Sequence, residues 1–328
     1  MSGGNMNAAV IGVGNMGKHH ARNYAELSGV NLVAIADLDP KLGESLAKQF
    51  NCKYYEDYKD LLKNEKIDLA TIAVPTKLHK KVALDCIDRG INILMEKPIA
   101  ATVSEAKEVI AKAKAKGIKF TVGHIERFNP AVLKLKNMID KGKLGKITSI
   151  VIRRMGPMPS QVKDANVVID IGVHDIDLLN WFYGALPDSI SAAGGNALNK
   201  IQQDYATFFL KYGNCAGTVL ANWITPVKIR RMAVSGTKAY AEVNFITQEI
   251  DLYEVNYTSQ TDDFGEFVIK FGEPKDKKVI KVESVEPVKA EIKSFISCIK
   301  NNCRPMVTAR EAIDALDIAC KIDKLIRK

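Results

Sequence analysis

A carboxylate and an imidazole lie four residues apart in the segment VVIDIGVHDIDLLNWF, residues 167–182. If a helix begins near Asp170, this residue and His174 share one helical face, because positions i and i+4 are neighbours on a helix. The unperturbed pKa of an imidazole lies close to neutrality. A His174 that Asp170 orients therefore suits a general base that removes a proton from an alcohol.

Two other interpretations of this segment stay open. In one, Asp170 caps a helix and His174 is a packed structural residue. In the other, the pair binds a metal ion together with Asp175 and Asp177. We disfavour the metal because adjacent helical residues, such as His174 and Asp175, point in different directions. We predict a catalytic pair and no metal site.

A lysine follows an apolar segment in NILMEKPIA, residues 92–100. In a parallel α/β sheet, ligands bind beyond the carboxyl ends of the strands, so we expect Glu96, Lys97 and Pro98 beside a bound cofactor. The residue before a proline is biased to an extended backbone, which limits the directions that Lys97 can take. Its ammonium can hydrogen-bond a substrate hydroxyl or carry its proton. The alternative is a surface lysine in a strand-to-helix loop.

The segment GVGNMG has the spacing of a phosphate-binding turn, with glycines at 12, 14 and 17. It follows a predicted strand and opens a predicted helix, which is the context that the GxGxxG motif requires. Gly12 permits the tight turn, Gly14 lets the backbone approach a pyrophosphate, and Gly17 allows close helix–strand packing. With Asn15 and Met16, these residues form the predicted binding turn for a dinucleotide.

Asp37 ends the second predicted strand, twenty residues after Gly17. A carboxylate at this point accepts hydrogen bonds from an adenosine ribose and repels a 2′-phosphate, so we predict NAD rather than NADP. Asp39 is the alternative acceptor. The third predicted strand ends in VPTKLH, residues 74–79, and Pro75, Thr76 and His79 are expected near the cofactor. His79 is otherwise a partly buried structural histidine.

The order of the predicted elements positions these residues. Up to residue 122, apolar strands alternate with helical segments, which predicts a doubly wound parallel sheet of the Rossmann type. From residue 123 onward, one helix precedes many strand-like segments separated by turns such as KYGN and SGTK, and two helices close the chain. This pattern predicts an α/β domain with a large open, mainly antiparallel sheet. The predicted domains are residues 1–122 and 123–328.

Composition excludes several classes of protein. Charged residues make up 26% of the chain, and we find neither a long apolar segment nor a secretory signal, so we predict a cytoplasmic protein without a membrane span. The six scattered cysteines fit free thiols better than disulfides or zinc. The net charge of +9 lacks any accompanying nucleic-acid-binding motif, whereas a basic surface also attracts an anionic substrate. We therefore predict no nucleic-acid partner.

Taken together, the segments GVGNMG, MEKPIA, GHIERFNPA and DIGVHDIDLL resemble the Gfo/Idh/MocA family of sugar and inositol dehydrogenases. The resemblance implies an NAD-binding first domain and a second domain whose sheet joins subunits into homodimers or homotetramers. It also implies that the last helix, residues 307–328, packs back on the first domain. Lys97 and the Asp170–His174 pair match the family's proton-handling residues. The family usually has Asn after the proline of the third strand, whereas this chain has Thr76.

The segments GHIERFNPAV and RRMGPMP resemble the branch of the family that oxidises the C3 hydroxyl of UDP-N-acetylglucosamine. The resemblance implies an NAD-dependent nucleotide-sugar dehydrogenase, in which Arg127, Arg153 and Arg154 meet a diphosphate or position the sugar. The alternative for these arginines is a surface or salt-bridged position. The alternative functions are oxidation of inositol or a free sugar, reduction of a biliverdin-like acceptor, and a noncatalytic NAD(H)-binding regulator.

Overall fold

The computed structural model describes residues 5–158, 165–254, 257–261, 267–271 and 277–327. This described part of the chain divides into two compact units. The first unit contains residues 5–128 and 286–318. The second contains residues 129–158 and 319–327 and the described residues between 165 and 285. None of the described helices is long and apolar enough to cross a bilayer.

The described residues of the first unit form a six-stranded sheet in the order β3-β2-β1-β4-β5-β6. Every neighbouring pair in this sheet is parallel, which confirms the predicted Rossmann arrangement. The strands are β1 (Met6–Ile11), β2 (Val30–Ala36), β3 (Lys53–Tyr55), β4 (Leu69–Ile72), β5 (Asn92–Met95) and β6 (Phe120–Val122).

The described residues of the second unit form an eight-stranded sheet in the order β16-β13-β12-β11-β7-β10-β9-β8. Its pairs are antiparallel except for β7 with β10, which is parallel, so the sheet is mainly antiparallel as predicted. The strands, including a separate antiparallel pair β14–β15, are β7 (Ile147–Pro157), β8 (Ser189–Gly195), β9 (Tyr205–Tyr212), β10 (Cys215–Asn222), β11 (Ile224–Gly236), β12 (Ala239–Asn244), β13 (Glu249–Glu254), β14 (Tyr257–Thr261), β15 (Phe267–Phe271) and β16 (Lys278–Lys281).

The α-helices begin where the sequence supplies caps. Asp39, Thr102 and Asn129 accept hydrogen bonds from the first-turn amides of three helices, and Pro130 occupies the first turn of the helix that Asn129 caps. The described helices are α1 (Gly17–Glu26), α2 (Pro40–Phe50), α3 (Tyr58–Asn64), α4 (His79–Asp88), α5 (Val103–Ala115), α6 (Pro130–Asp140), α7 (Val173–Tyr183), α8 (Pro287–Lys300) and α9 (Ala309–Ile326).

One hydrophobic cluster of the first unit lies on the sheet face that α1 and α8 cover. Val10 and Leu94 of the sheet pack with Tyr24 of α1, and with Ile292 and Phe295 of α8. These side chains are almost completely buried, and burying such a side chain contributes about 1.5–3 kcal/mol. A helix from the end of the chain therefore completes the fold of the dinucleotide-binding unit.

Candidate active site

The turn between β1 and α1 has the geometry that a pyrophosphate requires. Gly12 has a φ of +85°, and a Cβ on this residue would lie 2.7 Å from the carbonyl oxygen of Ala73. A Cβ on Gly17 would lie 1.8 Å from the carbonyl oxygen of Gly12. A Cβ on Gly14, in contrast, meets no atom of the described chain within 4 Å. Two glycines thus permit close packing, and the third leaves open space at the N-terminus of α1.

The carboxylate at the end of β2 closes this turn. Asp37 Oδ2 accepts a 2.7 Å hydrogen bond from the amide of Val13, and its Oδ1 accepts a 3.0 Å bond from the amide of Asp39. Asp39 itself caps α2 through the amide of Leu42, at 3.2 Å. Asp39 thus serves as a helix cap, whereas Asp37 lies directly at the glycine turn of the NAD-binding fold. The contact of Asp37 with a ribose stays a prediction.

Asn15 and Met16 lie at the exposed tip of the turn. Asn15 is exposed and Met16 is half-buried. The carbonyl oxygen of Met16 accepts hydrogen bonds from the amides of His19 and His20, at 2.9 and 3.3 Å, so α1 starts directly behind the turn. The amides that open this helix have the positive potential that favours a bound anion.

His79 connects two loops at the carboxyl edge of the parallel sheet. Its Nε2 lies 2.9 Å from the carbonyl oxygen of Val74, and its Nδ1 lies 2.9 Å from that of Pro98. Burial lowers the pKa of His79, although both carbonyl groups oppose this effect. The ring thus bonds to the backbone after β4 and after β5, and Pro75 and Thr76 begin the first of these loops. Cofactor contacts of these three residues stay a prediction.

The side chain of Glu96, the residue before Lys97, is buried. Its Oε1 is 2.9 Å from Nε2 of His20, and its Oε2 accepts a 3.3 Å hydrogen bond from the backbone amide of Lys97. Burial alone would raise the pKa of Glu96, but the paired His20 and nearby Lys97 hold this pKa below its usual value. Glu96 is therefore a carboxylate at neutral pH.

Lys97 is half-buried, whereas Met95, Glu96 and Pro98 are buried on either side of it. The peptide bond between Lys97 and Pro98 is cis. The side chain of Lys97 is partly exposed to solvent, whereas its neighbours in the loop are packed in the interior. The loop follows β5, which is one strand away from β4 and two from β1. Lys97 therefore lies on the sheet edge that binds ligands in this type of fold.

In the second unit, the helical segment starts before Asp170, so Asp170 is not its cap. Asn166 caps this segment instead, because its Oδ1 accepts hydrogen bonds from the amides of Val168 and Ile169 at 3.1 and 3.0 Å. Asp170 lies within a π-helical turn, Val168–Gly172, that continues directly into α7. Single π-helical turns are frequent at functional sites, because they redirect the side chains of a helix.

Asp170 and His174 lie one turn apart across the junction of the π-helical turn and α7, and both are half-buried. The next aspartate, Asp175, is buried and forms an ion pair with Arg154, whose Nε lies 2.8 and 3.0 Å from its two carboxylate oxygens. His174 and Asp175 thus have different surroundings. The role of Asp170 and His174 as a catalytic pair stays a prediction.

Two of the three candidate substrate arginines are buried in ion pairs. Arg127 donates to the carbonyl oxygen of Met306 and to Oε1 of Glu311, both at 3.2 Å. Arg154 pairs with Asp175, and Arg153, the preceding residue on β7, is exposed and lies 3.1 Å from Glu242. All three arginines therefore form salt bridges in this structure, as in the alternative interpretation of the sequence. Their contact with a substrate stays a prediction.

Two buried residues next to this site carry no sequence signal that identifies them. His20 is one of two adjacent histidines on α1, and Glu291 lies on α8 among residues of ordinary helical pattern. Both side chains are buried, and both belong to the surroundings of Glu96. Their positions depend on contacts between distant parts of the chain, which the motifs do not encode.

Known proteins support this description of the fold and the cofactor. Residues 6–124 match a family described as an oxidoreductase family with an NAD-binding Rossmann fold, and residues 132–242 match the GFO/IDH/MocA C-terminal domain. UDP-N-acetylglucosamine 3-dehydrogenase from Acidithiobacillus ferrooxidans is 29% identical over 251 residues, which are 76% of this chain and 77% of the relative. A solved structure of that enzyme has a TM-score of 0.85 and 23% identity, and 98% of each chain is covered.

A second relative has a different substrate in its name. The scyllo-inositol 2-dehydrogenase (NAD+) from Bacillus subtilis is 26% identical over 323 residues, which are 94% of this chain and 91% of the relative. The two family matches together cover more than half of the chain. The chain belongs to the Gfo/Idh/MocA oxidoreductase family, and it is an NAD-dependent enzyme.

Proposed function

We propose that this enzyme oxidises the C3 hydroxyl of a UDP-N-acetylhexosamine to a ketone. The observation that carries the proposal is the position of Lys97, half-buried at the ligand-binding edge of a sheet whose first turn fits NAD. The 29% identity to a UDP-N-acetylglucosamine 3-dehydrogenase supports the choice of substrate. A hydroxyl next to a hydride-accepting cofactor needs a group that polarises it and a group that removes its proton.

The proposed mechanism assigns these tasks to three side chains. Bound NAD supplies the hydride acceptor. Lys97 donates a hydrogen bond to the substrate hydroxyl, and this bond strengthens as negative charge develops on the oxygen. His174 takes the proton of the same hydroxyl, and Asp170 orients the imidazole for this transfer. Asp37 accepts the hydrogen bonds of the adenosine ribose.

The proposed cofactor contacts extend beyond Asp37. The glycine turn with Asn15 and Met16 holds the pyrophosphate at the start of α1. The loops after β4 and β5 line the nicotinamide side, through Pro75, Thr76 and the Glu96–Pro98 segment. His79 contributes through its hydrogen bonds to the backbone of both loops.

A substrate panel tests this function. We would incubate the purified protein with NAD and follow NADH absorbance with UDP-N-acetylglucosamine, UDP-N-acetylgalactosamine, free N-acetylglucosamine, glucose and scyllo- and myo-inositol. The proposal predicts a kcat/KM for a UDP-sugar that exceeds that for the free sugar by about 10-fold or more. The same substrates, tested under single-turnover conditions, would also reveal oxidation by an enzyme that does not release its NAD. Failure of both UDP-sugars to react would refute the proposed substrate.

Oxidation of an inositol is the second candidate function. It is favoured by the alignment with the scyllo-inositol enzyme, which spans 94% of this chain. The same panel separates the two functions, because the nucleotide diphosphate of a UDP-sugar should not raise the kcat/KM of an inositol dehydrogenase. A higher kcat/KM for scyllo-inositol than for either UDP-sugar would establish this alternative.

Two variants test the proposed catalytic residues. Lys97→Ala and His174→Ala should each lower kcat by about 100-fold or more, because each removes a proton-handling group from the transition state. Their NAD affinity, measured by fluorescence titration, should stay close to that of the wild type. Lys66→Ala is the matched control, since Lys66 is an exposed lysine in the loop before β4, away from the carboxyl ends of the strands. Wild-type turnover in Lys97→Ala or His174→Ala would remove that residue from the mechanism.

We also propose that the enzyme is a homodimer or homotetramer that assembles through the eight-stranded sheet. Along β9, exposed and buried residues alternate, and the exposed set includes Tyr205 and Phe209. Phe208 and Leu179 pack on the opposite face, which the π-helical turn and α7 cover. Exposed aromatic residues on an uncovered sheet face are typical of a protein–protein interface.

A further inference from the structure

The His20–Glu96 pair links the dinucleotide helix to the catalytic loop. His20 lies on α1, one turn after Gly17, and its Nε2 is 2.9 Å from Oε1 of Glu96. The second oxygen of Glu96 accepts from the backbone amide of Lys97 at 3.3 Å. Each end of the Glu96 carboxylate is thus engaged, one by the helix and one by the residue that we propose to be catalytic.

The space around Glu96 is tightly restricted. A Cβ on Gly123, at the end of β6, would lie 3.2 Å from Oε2 of Glu96. His20 is fully buried, and the relative exposure of Glu96 is 6%. The carboxylate therefore has little freedom to move unless its partners move with it.

Glu291 brings a second carboxyl group to this pair. Its side chain, on α8, is fully buried, and neither carboxyl oxygen has a hydrogen-bond partner among the described residues. Glu291 interacts electrostatically with Glu96 and with Tyr24. A buried carboxyl without a partner is expensive to ionise, and an adjacent carboxylate makes ionisation harder still.

Three elements near Glu291 carry titratable or charged side chains. On α1 they are His20 and Tyr24, and the Tyr24 hydroxyl lies 2.8 Å from that of Thr71. The loop after β5 contributes Glu96 and Lys97. The turn Ile125–Phe128, which also packs on α8, contributes Glu126 and Arg127, and Arg127 forms an ion pair with Glu311.

We propose that His20 is a positioning residue that holds the Glu96 carboxylate, and through it the Lys97 backbone, in the catalytically competent arrangement, and that this arrangement persists only while the Glu291 carboxyl is uncharged. This inference rests on the proposed role of Lys97. His20 acts by its direct bond to Glu96. Glu291 acts by its charge state, because an uncharged carboxyl leaves Glu96 in place, whereas an ionised one repels it from the interior.

A double-mutant cycle tests the contribution of His20. His20→Leu should lower kcat by about 10- to 100-fold, since a displaced catalytic group loses activity steeply, and His20→Gln, which keeps an N–H donor, should retain more of it. NAD affinity and thermal unfolding are measured for each variant. In a Lys97→Ala background, His20→Leu and His20→Gln should have no further effect on kcat.

The two halves of this cycle separate the inference from the function on which it rests. Full activity of Lys97→Ala alone would refute the catalytic role of Lys97. Suppose instead that Lys97→Ala lowers kcat and that a His20 variant lowers kcat by the same factor in the Lys97→Ala background as in the wild type. His20 then does not act through Lys97, and the positioning role is refuted. His20→Gln keeps the test valid should His20→Leu fail to fold.

The pH profile of kcat tests the contribution of Glu291. Glu291→Gln imitates the uncharged carboxyl, so its kcat should equal that of the wild type at acidic to neutral pH. As pH rises, the wild type should lose activity relative to Glu291→Gln, because only the wild type acquires a second negative charge beside Glu96. Glu286→Gln, next to the start of the same helix, is the matched control, and its ratio to the wild type should not vary with pH. A pH-independent ratio for Glu291→Gln would overturn the role of Glu291.

Discussion

The backbone amide of Val13 donates a 2.7 Å hydrogen bond to Oδ2 of Asp37. This bond joins the turn after β1 to the end of β2, so the proposed anion-binding amides and the proposed ribose-binding carboxylate form one unit. The family match to an NAD-binding Rossmann fold agrees with this geometry. The glycine turn and Asp37 are therefore held together by a contact within the first 40 residues.

Replacement of Asp37 should change cofactor preference. In Asp37→Asn, the charged acceptor is lost, so we expect NAD affinity to fall by about 10-fold or more and NADP affinity to rise as charge repulsion disappears. Titration of protein fluorescence with both cofactors measures the change. Asp39→Asn is the matched control, because Asp39 caps α2 through Leu42. Equal NAD affinity in the wild type and Asp37→Asn would contradict the assignment.

Two glycine variants should separate packing from binding. Gly17→Ala forces a methyl group against the carbonyl oxygen of Gly12, so its free energy of unfolding should fall by about 1–3 kcal/mol or more. Gly14→Ala meets open space, so its unfolding free energy should stay within about 0.5 kcal/mol of the wild type while NAD affinity falls. Urea unfolding and NAD titration measure both properties. Wild-type NAD affinity in Gly14→Ala would refute the proposed approach of the pyrophosphate.

The stability of the fold should depend on pH through Glu291. Burial and the nearby Glu96 raise the pKa of Glu291 well above its usual value of 4.5. A group with a raised folded-state pKa stabilises the fold below its unfolded-state pKa, and that contribution is lost as pH rises towards the folded-state value. Glu291→Gln does not titrate. The unfolding free energy of the wild type should therefore decline relative to Glu291→Gln as pH rises above the usual glutamate value of 4.5.

Urea unfolding at several pH values measures this difference. Glu286→Gln is the control, since Glu286 is a half-exposed residue of the same helix region that pairs with Arg22. Its stability difference from the wild type should be small at each pH. Parallel pH profiles for the wild type and Glu291→Gln would show that Glu291 is ionised in the native state already.

The buried Arg154–Asp175 pair should behave as a structural element. Arg154→Met leaves Asp175 buried and unpaired, which should cost about 3–5 kcal/mol of unfolding free energy. The double variant Arg154→Met/Asp175→Leu replaces both charges and should recover most of this loss. Thermal and urea unfolding give the comparison. A stable Arg154→Met variant with a strongly raised KM would instead assign Arg154 to substrate binding.

The oligomer interface is tested on the exposed face of β9. Phe209→Asp places a charge on the proposed interface, so the protein should shift towards a monomer in size-exclusion chromatography with light scattering. Leu38→Asp changes another exposed apolar residue, in the first unit, and should leave the assembly unchanged. A wild-type monomer, or an oligomer that tolerates Phe209→Asp, would contradict the proposed interface.

Much of the fold follows from local sequence patterns. Apolar runs that alternate with helical segments indicate the parallel sheet, and strand-like segments joined by short turns indicate the second sheet. The pattern misses β3 and α3, which have three and seven residues and are too short to establish a periodicity. It also misses the parallel pairing of β7 with β10, because pairing direction depends on chain topology rather than on composition.

The candidate site, like the fold, has parts that the sequence predicts and parts that it does not. The glycine turn, Asp37 and the Glu96–Pro98 segment are contiguous motifs, so their positions at the carboxyl edge were predictable. The sequence leaves a capping role for Asp170 open, whereas Asn166 is the cap in the structure, because a π-helical turn has no simple sequence signature. His20 and Glu291 meet Glu96 across long separations in sequence, and such contacts exist only once the chain has folded.

In the proposed reaction, hydride leaves C3 of a UDP-N-acetylhexosamine and is transferred to NAD. The most direct test supplies the enzyme with NAD and UDP-N-acetylglucosamine that carries deuterium at C3, and then analyses all cofactor, free and protein-bound, by mass spectrometry. We expect deuterated NADH in the wild type and a loss of this product in Lys97→Ala and His174→Ala. NADH without deuterium, or NAD that stays oxidised in the wild type, would contradict the proposed reaction.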